Sequence, residues 1–329
     1  MLPQALDKAL SSFGALRSKV DEALVRDQLR RVKWMWLVYT PNPFPKATRV
    51  SGIDSGYNFI EYRGYALYVV DAACVTVDVE GGGEEVEGSA DTDVISSSFI
   101  ESELAAYSIS MEIELARQAL RSSDLVVVDG SLVAKFATLA RAAELGLEIE
   151  KLKGVSFRRV LEELIYLVGL YPSKIAFLAK NTSSKDVLGL VKGDVYYFER
   201  YTSEIGFSKP LALEECSSIG SRALGSRIRG EIKRLVGIGA SVYVTYARLR
   251  EGGRVYRIEF VVEDGESARE RAKSIVDALA MVEVGGYPYP LLRADQLARV
   301  SERDVEKVAT VLGIASDPMA REGLWVGYP

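Results

Sequence analysis

Two short segments constrain the fold more than the rest of the chain. Arg49-Val-Ser-Gly-Ile-Asp-Ser-Gly-Tyr57 and Asp124-Leu-Val-Val-Val-Asp-Gly-Ser-Leu132 each run an apolar stretch into an aspartate followed by small residues. A short, fully apolar run such as Leu125 to Val128 is expected at the centre of a sheet covered on both faces. A strand that ends this way carries a carboxylate out of the core at a sheet end, with no bulky side chain crowding the approach. Two such strands in one sheet set Asp54 and Asp129 side by side. Paired carboxylates repel unless something positive lies between them, and a divalent cation is the usual solution. The chain contains no histidine. A metal site in it must be built mainly from oxygen, which favours Mg²⁺ or Mn²⁺ over zinc.

The surrounding pattern is that of a mixed sheet flanked by helices. Leu6, Leu10, Phe13, Leu16, Val20, Leu24 and Leu29 lie near helical spacing and predict a helix over 2–33. The aromatic, proline-rich stretch 34–45 reads as an extended connector. Strands are expected at 49–53 and 64–78, the latter paired in a hairpin with 59–62. Residues 81–93, with three glycines in a row and five acids, read as a loop. A long helix follows over 98–121, then the strand 125–128, helices over 134–145 and 156–169, and a buried strand over 174–178. Asp194 to Arg200 suggests one more strand. Residues 242–250 and 254–263 alternate cleanly around Glu251-Gly252-Gly253, a hairpin signal. A helix over 268–284, a break at Tyr287-Pro-Tyr-Pro290, and helices over 294–300 and 302–312 complete the chain. No internal repeat and no linker divides the 329 residues. The reading is therefore one α/β domain: an N-terminal helix and connector over 1–46, a core over 47–300, and a C-terminal helix and tail over 301–329.

Composition excludes several classes. No run of about 18 uncharged apolar residues exists, so no membrane span is expected. The first 20 residues read as an amphipathic helix rather than a signal peptide. Cys74 and Cys216 are the only cysteines, which argues against a disulfide scaffold and fits a reducing cytoplasm. The net charge of −5 does not suggest a general nucleic-acid binder. Two basic clusters nevertheless offer a stripe for a phosphate backbone: Arg222, Arg227, Arg229, Lys233 and Arg234, then Arg248, Arg250, Arg254 and Arg257. The alternative for these is a solvated helix followed by a charged hairpin.

Each Asp-Gly or Asp-Ser-Gly is by itself more often a turn than a ligand. The helix between the two strands offers Glu112 and Glu114, two residues apart and so pointing in different directions, and only one of them can face the sheet. With Ile53-Asp54-Ser55-Gly56, Arg63-Gly64, Met111-Glu-Ile-Glu-Leu-Ala116, Val128-Asp-Gly-Ser-Leu132 and Gly286-Tyr-Pro-Tyr-Pro-Leu291 in this order, the chain resembles the NurA nuclease family. That resemblance implies an RNase H-like α/β fold and Mn²⁺- or Mg²⁺-dependent cleavage of DNA, as an exonuclease with a possible single-strand endonuclease activity. It further implies a homodimer working with a HerA-type hexameric translocase in end resection of double-strand breaks. By position, Asp54 and Asp129 match the family's strand aspartates, and its helix glutamate falls on Glu112 or Glu114, with Glu112 preferred. Lys180 matches a lysine closing a later strand, and Asp194 an aspartate beginning the next strand. Tyr287 and Tyr289 are both candidates for a tyrosine beside the site. The family often carries a histidine in the helix after Tyr-Pro-Tyr-Pro; here Asp295 occupies that position.

Phosphodiester hydrolysis needs an activated water and relief of charge on the phosphate, which two divalent ions about 4 Å apart supply. Asp54, Glu112 (or Glu114), Asp129 and Asp295 would hold them. Asp295 has an alternative explanation as an acid at a helix N-terminus, and Lys180 as a partner of one of the acids rather than of a phosphate. Two rival functions stay open. Gly52-Ile-Asp-Ser-Gly56 resembles the phosphate hairpin of actin-like and sugar-kinase-like ATPases, and the missing histidine keeps open a motor-complex adaptor that has lost cleavage, against which the retained acids argue. The sequence holds no Walker A motif.

Overall fold

The computed structural model describes residues 3–20, 26–147, 154–216, 230 and 239–316. In chain order its main elements are α1 (Pro3–Ser11), α2 (Phe13–Val20), α3 (Arg26–Met35), β1 (Trp36–Val38), β2 (Arg49–Glu61), β3 (Ala66–Asp78), β4 (Gly83–Ile95), α4 (Ile100–Ala119), β5 (Leu125–Asp129), α5 (Leu132–Glu144), α6 (Phe157–Leu170), β6 (Ile175–Ala179), α7 (Asp194–Tyr201), β7 (Gly206–Ser208), β8 (Leu211–Ala212), β9 (Ala240–Arg248), β10 (Tyr256–Glu263), α8 (Ala268–Met281), β11 (Glu283–Val284), β12 (Tyr287–Pro288), α9 (Tyr289–Leu297) and α10 (Glu302–Val311). The main sheet runs in the order β1-β7-β9-β10-β6-β5-β2-β3-β4, with β8 beside β9. Its centre, β2-β5-β6, is parallel. The pairings on either side of it, β2-β3-β4 and β6-β10-β9, are antiparallel.

Alternation along the central strands divides the core in two. Val126, Val128 and Phe177 pack with α4, α5 and α6 on one face. Leu125, Val127, Ala176 and Leu178 pack with α8 and Leu291 of α9 on the other. This sandwich is why β5 and β6 are apolar at nearly every position.

Several sequence expectations change. The first aspartate strand does not end at Ile53 but runs on to Glu61, paired with β3 over its whole length. Asp54 therefore lies in the middle of a strand. Residues 83–95 form a 13-residue edge strand rather than a loop. Its glutamates and Asp93 are exposed, with Glu84 bonded to Tyr289 and Glu85 to Arg49, while the half-buried Asp91 accepts the hydroxyls of Tyr68 (3.1 Å) and Tyr107 (2.9 Å). Charges along an edge discourage pairing with another sheet, so an acidic sequence is compatible with a strand there. Asp194 to Tyr201 is a helix: Asp194, Tyr197 and Phe198 are its buried positions, a spacing that only a helix brings to one side. The single N-terminal helix is divided into α1, α2 and α3, with a turn at Ser12, and residues 21–25 lie outside those described. The basic cluster from Arg222 to Arg234 and the tail from 317 onward also lie outside the described residues.

Candidate active site

The parallel ladder between β2 and β5 stops at Ile53–Val128. One residue further, β5 ends at Asp129 while β2 continues. The sheet therefore opens beyond the end of β5. Strand alternation places Asp54, Asp129 and Lys180 on the α9 face of this opening. Gly130, with φ +89°, turns the chain into α5, whose N-terminus is capped by Ser131 accepting from the Ala134 N–H. Ser131 in turn donates to Glu259 (3.0 Å), which is buried with Arg257 and also accepts the Val133 N–H at 3.2 Å. The turn that follows Asp129 is thus anchored to β10.

Asp295 arrives from α9, and two glycines decide where α9 lies. A Cβ on Gly52 would meet Leu291 N and the Pro290 carbonyl carbon at 2.4 Å, and one on Gly56 would meet Ala298 O at 2.3 Å. Only glycine at both positions lets the helix rest directly on β2, and Asp54 lies between them. Lys180 donates from Nζ to Asp295 Oδ1 at 2.7 Å, and the same nitrogen is 3.4 Å from Asp129 Oδ1 and 3.9 Å from Asp54 Oδ2. Tyr287 donates to Asp129 Oδ1 at 3.1 Å, and its ring lies 5.2 Å from the Lys180 ammonium. The Gly285-Gly286 turn of the β11–β12 hairpin directs Tyr287 inward, against Tyr256 at 5.1 Å. Tyr289, two residues on, bonds Glu84 at 2.7 Å, away from Asp129 and Lys180. Asp295 sits in the last turn of α9, where the helix dipole disfavours an acid, so the N-terminal explanation for it fails. Its partner is Lys180 instead.

Glu112 comes from the opposite layer. It is buried, accepts Ser55 Oγ at 2.7 Å on one oxygen, and is paired with Lys135 on the other. Glu114 points outward to Arg117 and Gln118, and Arg117 holds its carboxyl below the usual range. It does not join the group. Asp194 is also elsewhere, accepting the Val187 and Leu188 N–H groups at the start of α7. The basic stripe divides too. Arg248 is buried on the Gly253 and Phe198 carbonyls and the Thr202 hydroxyl, and Arg257 on Asp186 and Glu259, while Arg250 and Arg254 are exposed. Gly81-Gly82-Gly83 lies at the acidic β3–β4 turn, with the Gly81 N–H held by Asp78 at 2.7 Å.

Sequence reading did not single out Lys135, Ser55 or the Arg257–Glu259 pair. Lys135 left a signal: it falls on the apolar stripe of α5 with Leu132, Phe136, Leu139 and Ala142, where a lysine needs a buried partner.

The electrostatics reflect crowding. Burial, then Asp129 and then Glu112, push Asp54 up to about 8 against the opposing pull of Lys180 and the Ser55 N–H. Burial also raises Glu112, with Lys135 and Ser55 resisting. Burial opposes the charge on Lys180, but Asp295, Asp129 and Asp54 outweigh it and hold the ammonium more firmly protonated than usual. Among the described residues no three of the acids already close on one point as metal ligands. The donor set nevertheless suits a hard divalent ion: every donor is oxygen, and an ammonium already draws three carboxylates toward one positive charge.

A family model for the NurA domain matches residues 48–300, which include every residue of this cluster. The chain belongs to the NurA family. The DNA double-strand break repair nuclease NurA of Sulfolobus acidocaldarius is 23% identical over 333 residues, covering 93% of this chain and 95% of the relative. The fold is that of the NurA nuclease crystal structure from Sulfolobus solfataricus, with a TM-score of 0.71 at 21% identity, covering 95% of this chain and 97% of that one. A crystal structure of NurA bound to dAMP and manganese matches with a TM-score of 0.58 at 13% identity, covering 96% of this chain and 98% of that one. Among the described residues no helix is long and apolar enough to cross a membrane.

Proposed function

We propose that the chain is a divalent-metal-dependent deoxyribonuclease, hydrolysing phosphodiester bonds at DNA ends in double-strand break repair. The observation that carries this is the convergence of Asp54, Asp129 and Asp295, from three separate elements, on one positive charge at the open end of the central sheet. NurA relatives that cut DNA, and one bound to dAMP and manganese, support the same reading. Asp54, Asp129, Asp295 and Glu112 would hold Mn²⁺ or Mg²⁺, which when bound supplies an activated water and charge relief at the phosphate.

The chain's own residues do the rest. Tyr287 fixes the rotation of the Asp129 carboxylate through one hydrogen bond. Ser55 and Lys135 hold Glu112 in place below the sheet opening. Lys180 carries a positive charge at the mouth of the cluster, where it can meet a phosphate oxygen. The assembly part of the reading, a homodimer working with a hexameric HerA-type translocase, rests on family resemblance, together with the absence of a Walker A sequence that would let the chain drive translocation itself.

The test is cleavage of linear single- and double-stranded DNA with Mn²⁺, Mg²⁺ or EDTA, comparing wild type with Asp54→Ala and Asp129→Ala. Metal-dependent cleavage is expected in the wild type, with a loss of at least about 100-fold in each variant. A wild-type protein that cuts nothing with either metal, or variants that cut normally, would sink the reading. DNA binding without any cleavage would favour the adaptor alternative.

A further inference from the structure

Arg254, one of the two exposed arginines of the second basic cluster, leads to a second feature of the site. Beside the carboxylates lies an open cleft of about 730 Å³, and Lys180 lines both. Gly193, Thr182 and Ser183 line it, and they pack so tightly that a Cβ on Gly193 would lie 3.0 Å from the Thr182 and Ser183 backbones. Lys192 and Arg254 stand along its walls, with Tyr196 from α7. Lys192 Nζ lies 4.0 Å from the centre of the Tyr196 ring, and Arg200 donates to the Tyr196 hydroxyl at 2.9 Å. Glu199, the one carboxylate lining the cleft among the described residues, has one oxygen engaged by the Val255 N–H at 3.0 Å.

We propose that this cleft is the subsite for the single-stranded DNA segment flanking the scissile phosphate, with Lys192 and Arg254 on phosphates and Tyr196 against a base. The inference takes its substrate class from the nuclease reading above. Three independent features converge on it. The cleft and the carboxylate cluster share Lys180, so a strand lying in it is already beside the reacting centre. Its cations share the lining with an aromatic ring, Lys192 lying directly over Tyr196, and interleaved cations and aromatics are what an unpaired strand requires. A duplex keeps its base faces stacked and out of reach of such a ring, whereas a single strand exposes them. The cleft has the volume of a small-ligand pocket, enough for one or two nucleotides and too small for a double helix.

The test measures binding of a fluorescent single-stranded oligonucleotide of about ten nucleotides. It is done in EDTA across a salt series, so that neither metal nor cleavage contributes. Lys192→Met and Arg254→Met are each expected to weaken binding and to reduce the slope of log K against log salt by about 0.7, the value for one lost phosphate contact on a single strand. Tyr196→Ala is expected to weaken binding about 5- to 150-fold with an unchanged slope, because stacking releases no counterions. Lys192→Arg and Tyr196→Phe should bind as wild type does, which separates these roles from misfolding. Lys209→Met, a lysine set against Trp34, should leave the slope unchanged.

With Mn²⁺ present, the cleft variants should raise KM and leave kcat near wild type. Unchanged slopes in both cation variants, wild-type binding by Tyr196→Ala, or an equal Tyr196 dependence for duplex DNA would each overturn the proposal. The two readings fail separately. A protein that binds with these slopes but never cuts keeps the subsite and loses the nuclease. One that cuts while its cleft variants bind normally keeps the nuclease and loses the subsite.

Discussion

At the scale of single residues, the division of labour between Glu112 and Glu114 gives a direct contrast. Glu112 is buried against Lys135, whereas Glu114 is exposed beside Arg117. Glu112→Ala should abolish metal-dependent cleavage and destabilise the fold by about 3–5 kcal/mol, because it leaves a buried ammonium unpaired. Glu114→Ala should change stability by less than about 1 kcal/mol and leave cleavage intact. Urea denaturation together with a cleavage assay checks both, and equal effects would remove Glu112 from its place. Lys180 offers a prediction of opposite sign. It holds Asp295 by a charge-assisted hydrogen bond worth about 1.5 kcal/mol, which a metal drawing on the same oxygens must displace. Lys180→Met should therefore bind Mn²⁺ about tenfold more tightly in a calorimetric titration without DNA; weaker binding would show that the lysine supports the metal instead. Asp194 carries a pH dependence. Burial raises its carboxyl from 3.8 to about 6. The folded protein thus keeps a proton that the unfolded chain has lost, and the resulting stability is full below pH 3.8 and lost as pH rises through 6. Relative to Asp194→Asn, the wild type should lose about 2 kcal/mol between pH 4 and 7, read by denaturation at each pH; parallel curves would refute it.

At the scale of elements, the seating of α9 on β2 is the decisive contact. The glycines of Gly52-Ile-Asp-Ser-Gly56 read, in the sequence, as clearance around a strand-end aspartate. In the fold they provide clearance for a helix backbone on either side of Asp54. Gly52→Ala or Gly56→Ala should destabilise by about 1–3 kcal/mol, since the clash is with main chain that no rotamer change can relieve. Either should also lift Asp295 from Lys180 and weaken metal binding. A variant with wild-type stability and metal affinity would show that α9 is free to shift. Two elements were misread for related reasons. Strand β4 looked like a loop because its glycines and acids carry little burial signal, yet β3 pairs with it along all 13 residues. Helix α7 looked like a strand because Val195, Tyr196, Tyr197 and Phe198 favour strands locally, and packing at Asp194, Tyr197 and Phe198 overrides that preference.

At the scale of the whole molecule, the sequence alone determined the central apolar strands and the helices that cover them, and its lack of histidine leaves mainly oxygen donors for a metal. These are legible because burial on both faces demands unbroken apolar runs, and because ligand chemistry follows from residue type. The pairing of Asp54 with Asp129 was likewise within reach, each carried by its own apolar stretch. Only the tertiary structure decided that Asp54 lies within a long strand, that Glu112 rather than Glu114 turns inward, that Tyr287 rather than Tyr289 reaches Asp129, and that Asp295 meets Lys180. Those outcomes depend on ladder register and on where one backbone can approach another, as at Gly52 and Gly56. The contacts of Tyr287, Asp295 and the two glycines join residues more than a hundred positions apart, and no local pattern in the chain encodes them.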